Sequence, residues 1–363
     1  MTTRRDIFTA FAPAYLERYP HLPLVHRKVI RAIPQCQSGH YGHSLYQCRS
    51  CGAQHRVKHS CGTRPCPQCQ QHTTQQWLQP HLDQQLPGPH FLLTFTVPET
   101  LRPCIRSHQR LAYQAMFQAS ATALKRLATD ARFLGTDLPG FTGVLHTWGR
   151  QLQDHPHIHD IAPGGGLSED RTTWRPSRAN FFVPVKALSP ISRALFKAEM
   201  GQASLLEPID PQVWTIPWNV HSRAKHHGHS ACTSLAPSVC KVALSNSRIV
   251  GLQDRTVTFT YRKVGRTRPR TAHLDVMEFL RRFLQHVLPD GLQKVRHCGL
   301  LHASCAVPLA TIRLLLGQGR SRDALAPQRP PPPRPAARCP ICGAPMRVVM
   351  RLWTSHCDVV DTG

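Results

Sequence analysis

The sequence predicts an α+β fold, with strands and helices preceded by a zinc ribbon. Two observations carry this prediction. In His155-Pro-His-Ile-His159 the histidines recur at every second residue, which is the side-chain period of a β-strand. Upstream stand two Cys-x-x-Cys pairs, at 48–51 and 66–69, with fourteen residues between the inner cysteines. That spacing is typical of a four-cysteine zinc site.

The charge of the chain indicates a polyanionic partner. Among 363 residues, 45 are Lys or Arg and 20 are Asp or Glu, which gives a formal net charge of +25. Such an excess is most simply explained by binding to DNA. The sequence has neither an apolar stretch of about 18 residues nor the apolar core of a signal peptide. We therefore expect no membrane partner and a location in the cytoplasm.

Composition and motif positions divide the chain into five predicted segments. They are a helical segment at 1–35, a DNA-binding zinc ribbon at 36–85, a main α+β domain at 86–320, a proline-rich linker at 321–338, and a partial zinc knuckle at 339–363.

The fourteen cysteines predict metal sites rather than disulfides in a cytoplasmic protein. The two Cys-x-x-Cys pairs predict one structural zinc ion bound by Cys48, Cys51, Cys66 and Cys69. Further ligands are available nearby, and they either form a second site or replace members of the first. These are Cys36, His43 and Cys61, with His40 and His59 as additional histidines.

A second, weaker knuckle is predicted near the C-terminus. Cys339 and Cys342 form another Cys-x-x-Cys pair, and His356 and Cys357 are the candidate partners. The prediction is weaker because the closing half is not a Cys-x-x-Cys pair.

The alternating histidines predict a divalent metal site. On a strand, His157 and His159 share one face while Ile158 points into the core. Two neutral imidazoles can hold a divalent ion when a third polar ligand joins them. Gln153 is the first candidate for that ligand and His155 the second. The alternative is that the histidines only form hydrogen bonds, because a chain with 23 histidines produces His-x-His pairs by chance.

Residue patterns also predict individual elements. Strands are expected at 91–97, 141–148, 157–162 and 181–185, a hairpin at 249–261, a basic loop at 217–230, and helices at 105–129, 189–205, 231–243 and 275–288.

Several sequence blocks resemble one protein family. Phe91-Leu-Leu-Thr-Phe-Thr96 and His157-Ile-His159 resemble the first strand and the metal motif of the HUH nucleases. The chain as a whole resembles transposases of the insertion sequence 91 family, the rolling-circle type with two tyrosines. The blocks that carry this resemblance are the cysteine-rich ribbon, Val144-Leu-His-Thr-Trp-Gly-Arg150, His155-Pro-His-Ile-His159, Pro163-Gly-Gly-Gly-Leu-Ser168, Val242-Ala-Leu-Ser-Asn-Ser-Arg248 and Glu278-Phe-Leu-Arg-Arg-Phe-Leu-Gln-His286.

The resemblance implies an HUH-type domain at 86–320, in which an antiparallel sheet is flanked by helices. It also implies a catalytic Mg²⁺ or Mn²⁺ beside the structural zinc, single-stranded DNA and element ends as partners, and a location with the bacterial nucleoid. It also implies that a tyrosine cuts one DNA strand, with a 5′-phosphotyrosine intermediate and strand transfer. At the two positions of the family's tyrosines this chain has Ser234 and Ser238, followed by Lys241. A serine hydroxyl is a weaker acid than a phenol and needs a base to activate it. We therefore expect an impaired transposase, or alternatively a non-catalytic zinc-ribbon protein that binds DNA.

Overall fold

The structure is a computed structural model that describes residues 2–69, 82, 84–225, 228–240, 244–262, 265–317 and 337–354. Within these residues the helices are α1 Arg4–Arg18, α2 Leu24–Gln35, α3 Arg102–Ser107, α4 Gln109–Thr129, α5 Val185–Gln202, α6 Gly228–Cys240, α7 Val276–Leu284 and α8 Leu309–Gly317. No helix in this part of the chain is long and apolar enough to cross a membrane.

The strands of the same residues are β1 His43–Cys48, β2 Gln54–Lys58, β3 His90–Thr96, β4 Leu138–Trp148, β5 Asp154–Pro163, β6 Gly165–Leu167, β7 Trp174–Pro176, β8 Asn219–Lys225, β9 Ile249–Gln253, β10 Thr256–Tyr261, β11 Arg270–Asp275, β12 Val295–Gly299 and β13 Met346–Leu352. Every pairing between these strands is antiparallel. The predicted α+β class, with an antiparallel sheet and flanking helices, is confirmed.

The chain folds into two compact units, and both are discontinuous in sequence. The first unit consists of Met1–Thr73, Lys241–Val287 and Gln328–Gly363, and the second of Thr74–Cys240 and Leu288–Pro327. This division differs from the predicted continuous domain at 86–320, because residues 241–287 pack with the N-terminal helices. The apolar side of α7 is fully buried there, and the Phe283 ring meets the Phe8 ring of α1 edge-on at 5.0 Å.

The first unit contains two three-stranded sheets, ordered β13-β1-β2 and β11-β10-β9. The predicted hairpin at 249–261 is confirmed as β9 and β10. Its turn passes through Asp254 and Arg255, both with positive φ. Among the helices of this unit, α1 buries Tyr15, whose ring lies 4.7 Å from that of Tyr19.

The second unit is built on one sheet with the order β7-β6-β4-β5-β3-β8, and β12 pairs with β4. Strand alternation gives this sheet two distinct faces. One face carries Phe91, Leu93, Leu145 and Ile158, which form the main core with helices α4 and α5. The opposite face carries the alternating histidines of β5 and is called the histidine face below.

Two element predictions in the second unit are wrong. The predicted strand at 181–185 is an irregular segment that buries Phe182 and Val183, and Pro184 then precedes α5. The predicted loop at 217–230 contains β8 and the start of α6. In β8, Val220 is buried while His221 is exposed, so the strand has the usual alternation despite its basic composition.

Candidate metal centres

Three histidines meet on the histidine face because of the register of the sheet. Strand β5 lies between β4 and β3. His157 of β5 is directly opposite His146 of β4, and His159 is directly opposite Thr94 of β3. Directly opposed residues of antiparallel strands point to the same side. Ile158, between the two β5 histidines, is fully buried in the core on the other side.

The ring nitrogens of these histidines lie at ligand spacing. The Nε2 atom of His157 is 2.9 Å from Nδ1 of His146 and 3.1 Å from Nε2 of His159. Ligand atoms placed about 2.1 Å from one ion at octahedral angles lie about 3.0 Å apart. His146, His157 and His159, the histidine cluster, therefore fit three adjacent positions around a single divalent cation.

The ring nitrogens of His157 and His159 that point away from the cluster have hydrogen-bond partners of their own. His157 Nδ1 donates to the carbonyl oxygen of His155 at 2.7 Å, so its Nε2 keeps the lone pair. His159 Nδ1 lies 3.0 Å from the hydroxyl of Thr94. When Nε2 of His159 binds a metal, Nδ1 carries the hydrogen and donates a hydrogen bond to this hydroxyl. Such hydrogen bonds set the tautomer and orientation of metal-binding imidazoles.

Burial favours the neutral form of these rings. It lowers the pKa of His157 well below its usual 6.5, and proximity to His159 lowers it further. It lowers the pKa of His159 to about 4, with a smaller contribution from His155. Neutral imidazole is the form that binds a metal. The cluster is therefore ready for a cation at neutral pH.

The two residues predicted as the third ligand have hydrogen-bond partners outside the cluster, and their role as metal ligands stays a prediction. The side-chain oxygen of Gln153 accepts a hydrogen bond from the backbone N–H of Gln151 at 2.9 Å, in the turn between β4 and β5. His155 Nδ1 accepts from the Arg102 guanidinium at 3.0 Å. The third imidazole comes from His146, which sequence reasoning missed. The sequence feature that could have indicated His146 is that it is the one titratable residue in the predicted apolar strand 141–148.

A carboxylate adjacent in sequence does not reach the cluster. Asp160 follows His159, so its side chain lies on the core face, where it is about 1% exposed. Burial raises the pKa of Asp160 to about 7, opposed by a hydrogen bond from Ser120. The candidate donor set is thus the three imidazoles of the histidine cluster.

Helix α6 covers the histidine face. Ala231, Cys232 and Val239 of this helix form a buried cluster with Val144 of β4 and Ile161 of β5. Both strand residues lie on the histidine face by alternation with His146 and His159.

Helix α6 also contains the predicted nucleophile positions, Ser234 and Ser238. The structure describes the backbone at these two positions but not their side chains, and Lys241 lies outside the described residues.

Tyrosine is scarce in the second unit. All six tyrosines of the chain fall among the described residues, and Tyr113 is the one that belongs to this unit. Tyr113 sits in α4 with 1% of its surface exposed, and burial raises its pKa. No exposed phenol of the second unit is therefore available near the histidine cluster.

Among the described residues, eight cysteines form two clusters, and the membership of these clusters differs from the predicted sets. The first cysteine cluster is Cys36, Cys61, Cys66 and Cys69, and the second is Cys48, Cys51, Cys339 and Cys342. In the first, the sulfur of Cys69 is 3.8 Å from that of Cys36 and 3.7 Å from that of Cys61. Four thiolates about 2.3 Å from a tetrahedral zinc ion lie about 3.8 Å apart.

The predicted set of Cys48, Cys51, Cys66 and Cys69 is corrected for a geometric reason. Cys48 and Cys51 lie at the turn of the β1–β2 hairpin, whereas Cys36 and Cys61 lie at its open end, where Gln37 N donates to His59 O. Five or six strand residues span about 17 Å. The two ends of this hairpin cannot share one ion.

The other predicted zinc ligands that the structure describes, His43 among them, do not join these clusters. His43 lies in β1 opposite Lys58, and His59 bonds Ser44 and the Tyr41 carbonyl. His356 and Cys357 lie outside the described residues. Within the second cluster, backbone N–H donation by Cys51 lowers the pKa of Cys48 to about 6, which favours the thiolate that binds metal.

Comparison with known proteins places these features in a family. A family model described as "Putative transposase" matches residues 140–308, and one described as "Transposase zinc-binding domain" matches residues 7–97. A protein named "Putative transposase y4qJ", from Sinorhizobium fredii (strain NBRC 101917 / NGR234), is 34% identical over 318 residues, covering 82% of this chain and 79% of that protein.

This chain belongs to the transposases of the insertion sequence 91 family. A second relative of this transposase, named "Transposase for insertion sequence element IS801", from Pseudomonas savastanoi pv. phaseolicola, is 26% identical over 289 residues. That match covers 73% of this chain and 68% of the relative. No solved structure matches the chain significantly.

The matched regions contain most of the candidate sites of this transposase. The histidine cluster and α6 lie within residues 140–308, and the first cysteine cluster lies within the zinc-binding domain at 7–97. Cys339 and Cys342 of the second cluster lie outside both matches. The family is one of enzymes that bind DNA, and its zinc-binding domain agrees with a structural zinc in this chain.

Proposed function

We propose that this transposase cuts and transfers a single DNA strand at the histidine cluster, by rolling-circle transposition, and that the attacking step is impaired in this copy. The observation that carries the proposal is the position of α6. The helix that holds both tyrosine positions of the family packs on the same sheet face as the three histidines. A nucleophile on that helix and a metal on that face are the two components that HUH cleavage needs.

The residues of the site fit distinct tasks in this reaction. His146, His157 and His159 would hold a Mg²⁺ or Mn²⁺ ion, and Thr94 and the His155 carbonyl orient two of the rings. When bound, such an ion polarises a scissile phosphate and offsets the charge that develops on it. Lys294 donates to the carbonyl of Val239 in α6 at 2.9 Å, which ties this helix to the strand segment beside β4.

The impairment follows from the side chains at positions 234 and 238. In the family, a phenol oxygen attacks the phosphate and forms the phosphotyrosine intermediate. Serine ends several bonds closer to the backbone than tyrosine, and its hydroxyl is a weaker acid. Tyr113 cannot take over this task, because it is buried in α4.

The first unit supplies the basic surface expected of a DNA-binding zinc domain. Arg49, Arg56 and Lys58 are exposed around the β1–β2 hairpin, and Arg347 and Arg351 are exposed on the paired strand β13. Exposed arginines and lysines on one small sheet suit the phosphate backbone of DNA. We propose single-stranded DNA and the element ends as the substrates.

The proposal is tested by a search for covalent adducts. Labelled single-stranded oligonucleotides that cover the DNA flanking the gene are incubated with Mn²⁺ or Mg²⁺ and the full chain. The proteins compared are the unmodified chain, Ser238→Tyr, and Ser234→Tyr with Ser238→Tyr. Each is also made with His157→Ala. Ser238→Tyr is the first choice, because Lys241 then stands three residues after the tyrosine, as in the HUH superfamily.

We expect no adduct from the unmodified chain and a metal-dependent adduct from the tyrosine variants, abolished by His157→Ala. If DNA is bound but no variant forms an adduct, the chain is a non-catalytic zinc-ribbon DNA-binding protein. If the unmodified chain forms a covalent adduct, either a serine of α6 or a residue outside this helix attacks the DNA, and the proposed impairment is wrong.

A further inference from the structure

The C-terminal segment that follows the proline-rich sequence begins with a cysteine knuckle that matches one in the N-terminal region. The two knuckles are Cys48-Arg-Ser-Cys51-Gly52 and Cys339-Pro-Ile-Cys342-Gly343. Both glycines have a left-handed backbone, with φ of 71° at Gly52 and 74° at Gly343, which other residues adopt only with strain. A Cβ at either position would meet nothing, so it is the backbone conformation that requires glycine.

The sulfur atoms of the two knuckles lie close together in one cluster. Cys48 and Cys342 are 3.4 Å apart, Cys51 and Cys342 are 3.6 Å apart, and Cys51 and Cys339 are 3.8 Å apart. These separations are far longer than the roughly 2.05 Å of a disulfide and close to the roughly 3.8 Å of a tetrahedral zinc tetrathiolate. Backbone N–H groups of Ser50 and Cys51 point at the Cys48 sulfur, at 3.4 and 3.5 Å. Such donors stabilise a thiolate.

A strand pairing holds the same two segments together. Strand β13 pairs with β1 along its whole length, from His43 opposite Leu352 to Cys48 opposite Met346. At the open end of β1, a Cβ on Gly42 would lie 2.0 Å from the carbonyl oxygen of Leu352. The chain therefore needs glycine at position 42 for the C-terminal strand to approach. The Trp353 ring then contacts the His59 ring in a tilted arrangement, with ring centroids 4.1 Å apart.

We propose that Cys48, Cys51, Cys339 and Cys342 bind a second zinc ion, which fastens the C-terminal segment to the N-terminal zinc-binding domain. Four thiolates in a tetrahedron suit Zn²⁺ or iron. Zinc is the better choice, because the neighbouring cluster lies in a zinc-binding domain. The four ligands come together only when the segment with Cys48 and Cys51 lies beside the segment with Cys339 and Cys342. Its ligands on one side, Cys339 and Cys342, lie outside both regions that match a family model.

Metal analysis of the full chain tests the composition of this site. We expect two zinc ions per chain in the unmodified protein and one after Cys48→Ser with Cys51→Ser. We expect one after Cys339→Ser with Cys342→Ser, and still one after all four changes together, because both pairs serve the same ion. Cys104→Ser with Cys298→Ser is the matched control and should keep two, since neither cysteine lies in a cluster.

Three results would overturn the proposal. Loss of one ion by each pair and of both by the quadruple variant would mean two separate sites. Loss of one ion after His356→Ala with Cys357→Ser would mean that the C-terminal knuckle binds its own ion. Iron in place of zinc would mean that the metal is wrongly assigned.

A cleavage experiment keeps the test valid when a cysteine variant loses its fold. A protease site is inserted into the proline-rich sequence at 326–337, and the purified protein is cut there. We expect the C-terminal fragment to remain with the body of the protein in gel filtration, and to separate after a chelator is added or when Cys342→Ser is present. Separation of the fragment from the unmodified, zinc-loaded protein would contradict the proposed fastening.

Discussion

At the scale of single residues, we expect the proposed metal site to depend on Thr94, which is not a ligand. Its hydroxyl lies 3.0 Å from Nδ1 of His159, and a hydrogen bond from this nitrogen would leave Nε2 free to bind the ion. Loss of a partner of this kind weakens metal binding by about 10- to 100-fold. We expect Thr94→Val to lower the affinity for Mn²⁺ by at least about tenfold, as measured by calorimetry.

A second threonine–histidine pair on the same sheet provides the control. Thr142 of β4 bonds Nδ1 of His297 in β12 at 3.0 Å, and neither residue belongs to the histidine cluster. Thr142→Val should leave Mn²⁺ affinity unchanged. Equal effects of the two substitutions would show that Thr94 acts only through the general stability of the sheet.

The buried histidines also predict how stability varies with pH. Burial lowers the pKa of His159 from 6.5 to about 4 in the folded chain. Between these values the unfolded chain binds the proton and the folded chain does not, so stability falls as the pH falls. Above about pH 6.5 this contribution no longer changes. Without added divalent ions, we expect the melting temperature to fall less between pH 7 and pH 5 in His159→Asn than in the unmodified protein.

Strand alternation alone placed His157 and His159 on one face, and the structure agrees. It could not reveal His146, because the partner of a strand residue depends on register. Here register is set by the turn at residues 149–153, where Gly149 N donates to Gln153 O. The same limit applies to the cysteines. Spacing identified each Cys-x-x-Cys pair, but which pairs share an ion depends on the β1–β2 hairpin that separates them.

At the scale of elements, α7 joins the first unit through a single apolar side. Phe283 is fully buried against Phe8 of α1. Truncation of a buried phenylalanine costs about 3–5 kcal/mol. We expect Phe283→Ala to lower the free energy of unfolding of the first unit by that amount in denaturant titrations.

Phe11 of α1 is a matched control for this substitution. Its ring is only half-buried and lies near Arg255. Phe11→Ala should cost less than half as much as Phe283→Ala. If the two cost the same, α7 does not pack on α1 as described.

Elements with a regular apolar pattern were predictable, and those defined by distant partners were not. The helix that became α4 and the hairpin of β9 and β10 follow from local periodicity and turn residues. Strand β13 was missed because several of its apolar side chains remain exposed and its partner β1 lies about three hundred residues earlier. Strand β8 was missed because its basic composition resembles a loop.

At the scale of the whole molecule, charge governs the interaction with DNA. A formal charge of +25 must displace counterions from the DNA backbone. A protein that contacts six or more phosphates loses on the order of a hundredfold or more in affinity between about 50 and 200 mM salt. We expect such a loss for single-stranded DNA in fluorescence titrations. An affinity independent of salt would rule out an interface dominated by phosphates.

The discontinuous division of the chain could not be read from composition. The sequence predicted a linear series of five segments, whereas residues 241–287 and the C-terminal segment both return to the N-terminal region. The cause is long-range packing and the pairing of β1 with β13, neither of which leaves a local pattern.

We propose that the histidine cluster binds a divalent ion in a chain whose tyrosine positions hold serine. Mn²⁺ is titrated into the unmodified protein, His146→Ala and Gln153→Ala, and its binding is followed by electron paramagnetic resonance. We expect one tight site in the unmodified protein, the same site in Gln153→Ala, and its loss in His146→Ala. Absence of a tight site in the unmodified protein, or its survival in His146→Ala, would rule out a metal site formed by these three histidines.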